Sequence, residues 1–108
     1  MLLLLQIPSD VPLEFAATLR VNPCTAYRML RDFTSLAPGD VIVQNGANSH
    51  CGQSVIQIAK QWGLRTVNVV RDREDIRDLK DRLIELGADH VLTEEEMRYY
   101  SPIIEVYI

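Results

Sequence analysis

The stretch VIVQNGANSHCGQSVIQIAK, Val41 to Lys60, constrains the fold more than any other part of the chain. VIVQN is a continuous apolar run, which suits a parallel strand covered on both faces. A turn of small and polar residues follows. From Gly52 to Trp62 the residues Val55, Ile56, Ala59 and Trp62 recur on one helical face, and Gly63 is a natural left-handed stop. A buried strand that passes through a tight turn into a helix is how a dinucleotide-binding unit begins.

The pattern then repeats. RTVNVV at 65–70 is a second β-branched run. DIRDLKDRLIEL sets Ile76, Leu79, Leu83 and Leu86 on one face, charges on the other, and Gly87 at its end. HVLTE at 90–94 reads as a third strand. The order β-α-β-α-β with short connections predicts a parallel sheet built by right-handed crossovers. The fold class is therefore α/β, one half of a Rossmann-type doubly wound sheet. Helices precede it: a short one over Pro12 to Leu19 with Asp10 as cap, and a clearer one with Asn22 as N-cap and Pro23 first. In the second, Ala26, Tyr27, Leu30 and Phe33 form an apolar face. APGD at 37–40 is a turn.

At 108 residues the chain makes one domain at most. Its net charge of −4 gives no reason to expect nucleic acid or an anionic membrane as partner. Cys24 and Cys51 form no CxxC or Cys/His ligand set and read as two reduced thiols, with no metal site. The start, MLLLLQIPSD, has five consecutive apolar residues at most, no basic flank and no small-residue cleavage site. It is neither a signal peptide nor long enough to span a bilayer, and is expected to be a truncated edge or a short strand. The tail MRYYSPIIEVYI reads as a stray strand at most.

The chemistry of such a fold lies at the carboxyl ends of the strands, first of all in the turn after VIVQN. There the N–H groups and positive dipole end of a helix meet a pyrophosphate. Of the usual G-x-G-x-x-G only the last glycine is present, with Ala47 and Ser49 at the first two positions and Gly52 at the third, so this stretch read alone fits a plain tight βα turn as well as a dinucleotide site. Gly52 permits close helix–strand packing, and the Ser49 hydroxyl can bond a phosphate. Where an NAD site carries an acidic residue for the ribose hydroxyl, this chain has Arg71, Asp72 and Arg73. Arginine forks pair bidentately with phosphate, so this replacement points to a 2′-phosphate and to NADPH. The other reading of RDR is a charged loop with Asp72 or Asp75 capping the next helix.

At these residues the chain resembles a known family. VNPCTAYRML, VIVQNGANSHCGQSVIQIA, LRTVNVVRDREDI and DRLIELGADHVLTEEE are similar to the mitochondrial trans-2-enoyl-thioester reductases, zinc-free members of the medium-chain dehydrogenase/reductase superfamily. The likeness runs from about Ile7 to Met97. It implies NADPH-dependent reduction of the 2,3 double bond of enoyl thioesters carried on coenzyme A or acyl carrier protein, in mitochondrial fatty acid synthesis, by a homodimer. The implied cofactor contacts are Asn22, then Asn48, Ser49, His50 and Cys51 in the phosphate turn, then Arg71, Asp72 and Arg73. His50 stands where the family carries glycine, and Arg20 where it carries a small residue.

The resemblance also implies that residues 1–108 are a partial NADPH-binding domain. The family's catalytic domain, with its tyrosine proton donor, and the second half of its nucleotide domain lie outside this sequence. Tyr27 belongs to the cofactor-domain motif and is no substitute, so no catalytic residue is assigned. The isolated chain is expected to be inactive, and a non-catalytic nucleotide-binding or protein-interaction module is the alternative.

Overall fold

In the computed structural model, Leu4 and residues 6–100 are described. The expected truncated edge or short strand at residues 1–10 lies partly outside the described residues, and its described part, Leu4 and residues 6–10, contains no strand; the end of the tail, residues 101–108, lies wholly outside them.

Three parallel strands form the sheet, in the order β1 (Val41–Asn45), β2 (Arg65–Val70), β3 (His90–Thr93). Val41 pairs with Arg65 and Asn45 with Val69, while Val67 pairs with His90 and Val70 with Thr93. The parallel β-α-β-α-β expectation therefore holds. Two crossover helices join the strands: α3 (His50–Gln61) and α4 (Ile76–Leu86). Before them stand α1 (Leu13–Thr18) and α2 (Asn22–Arg31); after β3 comes α5 (Glu94–Tyr100).

The hydrophobic periodicity explains the packing. Ala47, Ile56, Val70, Leu79, Leu83, Ala88 and Val91 form a buried cluster between the crossover helices and the sheet. Ala26, Leu30 and Val55 form a second one, flanked by Ile42, Cys51, Ile58 and Trp62, which docks α2 on α3. Trp62 meets Tyr27 edge to face at 5.7 Å. Gly63 and Gly87 end α3 and α4 at positive φ, +72° and +116°.

Several local expectations are corrected. Asn22 does not cap α2: it lies inside the first turn, Val21 holds the cap position, and no side chain caps the helix. The cap position of α1 is Pro12, again without a side-chain bond, so Asp10 has no such role. Phe33 lies beyond the end of α2 and is 82% exposed. VIVQN is not buried on both faces: Val41 and Asn45 are exposed, Val41 by 53%, and the three residues between them are only half-buried. Helix α3 starts at His50 rather than Gly52, since Ser49 supplies its cap.

The largest correction concerns residues 94–100. The third strand stops at Thr93 and MRYY is helical, not a strand. A capping box enforces the switch. The Thr93 hydroxyl accepts from the Glu96 N–H at 3.2 Å, and the Glu96 carboxylate accepts from the Thr93 N–H at 2.7 Å.

Candidate functional site: the turn between β1 and α3

The turn is built by backbone contacts that its small residues allow. Gly46 leaves β1 at φ +58°, a conformation costly for a residue with a side chain. Ala47 is completely buried, and its N–H donates to the carbonyl of Val69 at the end of β2. The Ser49 hydroxyl oxygen accepts from the Gly52 N–H at 3.0 Å, an N-cap bond. Gly52 sits so close to the turn that an added Cβ would lie 2.6 Å from the Ala47 carbonyl oxygen.

The first N–H groups of a helix have no intrahelical acceptor. In α3 the Ser49 hydroxyl takes one of them, that of Gly52, while the Ser49 carbonyl accepts the first regular helix bond, from Gln53. Those of His50 and Cys51, at the positive end of the helix dipole, receive no such cap. The Ser49 hydroxyl proton is also free to donate.

A cleft of about 440 Å³ opens beside this turn, lined by Asn45, Gly46, Asn48, Ser49, Val69, Arg71, Arg73 and Glu94. It lies at the carboxyl ends of β1 and β2, where an open α/β sheet binds its ligands. Arg71 has no ion-pair partner among the described residues. The Nε of Arg73 pairs with Asp75 at 2.7 Å, which orients the guanidinium and leaves its two Nη groups available.

Of the expected contacts, the fold brings Asn48, Ser49, Arg71 and Arg73 into this cleft. His50 is exposed and Cys51 packs against the α2–α3 cluster, and neither lines the cleft. Asp72 lines the neighbouring cavity with Ile76, Lys80, Thr93, Glu95 and Glu96. Asn22, at the start of α2, lines neither. Of the two aspartates, Asp75 holds the N-cap position of α4, without a side-chain cap bond because its carboxylate pairs with Arg73, and Asp72 accepts from the Arg73 N–H instead.

Sequence reasoning missed Glu94, Asn45 and Val69 as cleft residues; their place at strand ends was the available signal. In the neighbouring cavity, the Thr93 N–H and then Lys80, at 2.9 Å, hold the Glu96 carboxyl below the usual carboxylate range. Among the described residues there is no cluster able to hold a metal ion and no disulfide. No described helix is long and apolar enough to cross a membrane.

Strand order, crossovers and turn define one half of a Rossmann-type fold. Comparison with known proteins gives the particular relationship. Over 95 residues, 88% of this chain, the sequence is 67% identical to the mitochondrial enoyl-acyl-carrier-protein reductase of Homo sapiens. The chain is thus a homologue of the mitochondrial enoyl thioester reductases, and it spans 26% of that relative's length. A mutant enoyl thioester reductase from Candida tropicalis superposes with a TM-score of 0.81 at 36% identity, over 89% of this chain and 27% of that one. The Etr1p complex with NADP and crotonyl-CoA superposes with a TM-score of 0.80 at 36% identity, over 86% and 26% of the two chains. No protein-family profile matches the chain.

Proposed function

We propose that this chain contributes the phosphate-binding half of an NADPH site in a mitochondrial reductase of trans-2-enoyl thioesters, a homodimer whose substrates are carried on coenzyme A or acyl carrier protein. The observation that carries the reading is the convergence of Arg71 and Arg73 with the α3 turn on one cleft. It is supported by the homologue whose complex holds NADP and crotonyl-CoA.

The residues fit such a cofactor. The N–H groups of His50 and Cys51, with Asn48 and Ser49, hold the pyrophosphate. Arg71 and the Nη groups of Arg73 hold the 2′-phosphate, with the charge-assisted geometry that guanidinium offers phosphate. When bound, NADPH supplies the hydride for the thioester's β-carbon. Hydride transfer requires nicotinamide and β-carbon held together in a dry cleft. Among the described residues this cleft is lined by groups suited to phosphate and by no tyrosine, so these residues are assigned binding and no catalytic step.

Calorimetric titration with 2′,5′-ADP tests the reading, because this ligand carries the relevant phosphates without nicotinamide. Trp62 is a poor reporter: it ends α3, about 18 Å along the axis from the turn at about 1.5 Å per residue. Arg71→Ala and Arg73→Ala should each weaken 2′,5′-ADP by about tenfold, the loss of one charge-assisted contact, and leave 5′-AMP unchanged. Equal losses for both ligands, or no binding by the parent chain, overturn it.

A further inference from the structure

Gly52 is held at a third point that the phosphate turn itself does not explain. Its carbonyl accepts from the side-chain Nε2 of Gln44 at 3.0 Å. The same nitrogen donates to the Oδ1 of Asn68 at 2.8 Å, directly across the β1–β2 ladder. Asn68 is completely buried. Its Nδ2 donates to the Thr66 hydroxyl at 2.9 Å and to the His90 carbonyl at 3.0 Å. Thr66 is locked in turn to Asp89: its N–H donates to the carboxylate at 2.8 Å, and its hydroxyl oxygen accepts from the Asp89 N–H at 3.3 Å.

A polar chain therefore runs through the sheet from the start of β3, under α3, to the helix turn that faces the cleft. Packing alone does not require it. The position of Asn68 in a central strand would accept a Val or Leu, as Val70, two residues on along the same face and buried, shows. A buried amide is tolerated only because every hydrogen it carries is bonded. Both hydrogens of the Gln44 amide are likewise committed, one to the sheet and one to the helix. Ordinary β-ladder bonds set the spacing between strands, but they do not set the height of a helix above them. The Gln44–Gly52 bond does, at the residue whose close approach aims the N–H groups of His50 and Cys51.

We infer that Gln44 and Asn68 are positioning residues, a buried amide pair that fixes the first turn of α3 against the sheet and thereby sets its affinity for phosphate. The inference rests on the nucleotide-site reading for its functional consequence, and on the structure alone for its mechanical one. Gln44→Met and Asn68→Leu keep approximate volume while deleting the bonds, and the double variant leaves neither amide half-satisfied.

The test has two arms. In the ligand-free chain, hydrogen exchange of the Gly52 and Gln53 amides should accelerate by about tenfold or more in Gln44→Met while the amides of β2 keep their protection, a local opening. In the ligand arm, 2′,5′-ADP affinity should fall by about tenfold in the single and double variants, with a melting temperature held or raised in the double. Unchanged turn exchange in a folded Gln44→Met chain overturns the inference, as does a loss of protection spread evenly over sheet and turn. So does unchanged 2′,5′-ADP affinity in a chain whose parent binds it. If the parent chain binds no 2′,5′-ADP, the nucleotide-site reading falls and the exchange arm still decides the positioning role.

Discussion

A Cβ placed on Gly52 would lie 2.6 Å from the carbonyl oxygen of Ala47, and the atoms it meets are backbone. Neither partner can swing away, so the close approach of α3 to the end of β1 is available to glycine alone. Gly52→Ala gains helix propensity, about 1 kcal/mol at most, and loses more through overpacking, about 1–3 kcal/mol. The net expectation is a lower urea midpoint with unchanged slope, together with weaker 2′,5′-ADP binding. A variant as stable as the parent would mean that the turn relaxes freely.

Ser49 has two separable tasks, capping α3 and presenting a hydroxyl to the cleft. Ser49→Ala should cost about 1 kcal/mol of stability, the usual value of a lost cap. Ser49→Asp restores the cap but sets a carboxylate beside the phosphate position. Its chemical denaturation curve should match the parent, while NADPH affinity falls further than in Ser49→Ala. If the two substitutions weaken NADPH equally, the hydroxyl faces no phosphate.

His50 is exposed and does not line the cleft. His50→Gly is therefore expected to leave NADPH affinity within about twofold, the scale of a screened surface charge. A large gain would reveal a clash with pyrophosphate, and a large loss a direct imidazole contact.

Glu96 carries the pH dependence of α5. Its carboxyl titrates below the usual range because the charged form accepts from the Thr93 N–H and pairs with Lys80. A depressed folded value means stability present above the unfolded pKa, about 4.3, and lost as pH falls through the folded one. Exchange protection of the α5 amides should decline across that acid window. Glu96→Gln should flatten the decline; persistence of the same profile would assign it to another carboxylate.

Mixing the chain with NADPH and crotonyl-CoA should give no NADPH oxidation above the rate without protein, followed at the nicotinamide absorbance. Turnover would show that these residues assemble a hydride-transfer geometry that the adenosine-side cleft does not display.

Much of this architecture was legible from local signals. The period of Val55, Ile56 and Ala59, the stops at Gly63 and Gly87, and the β-branched run RTVNVV each act within a few residues. Their order alone predicts parallel strands with helical crossovers. Errors fell where a local signal had a competitor. Asn22 is a good cap by type, yet the chain reaches it already in helical conformation from Leu19 and Val21, and Pro23 follows inside the turn. Thr93 and Glu96 spell a capping box, but the β-branched residues before them read on as strand.

By itself the sequence determined the strand–turn–helix order, the small residues at Ala47, Ser49 and Gly52, and the paired arginines of the RDR loop. Spacing and residue chemistry suffice for these, because hydrophobic period, capping and charge are local properties. Only the tertiary structure decided which groups share the cleft, that Asp72 faces a different cavity, and that Gln44 reaches Gly52 through the same amide that bonds Asn68. Those depend on strand register and on the height of a helix above its sheet, which arise from contacts between residues far apart in the chain.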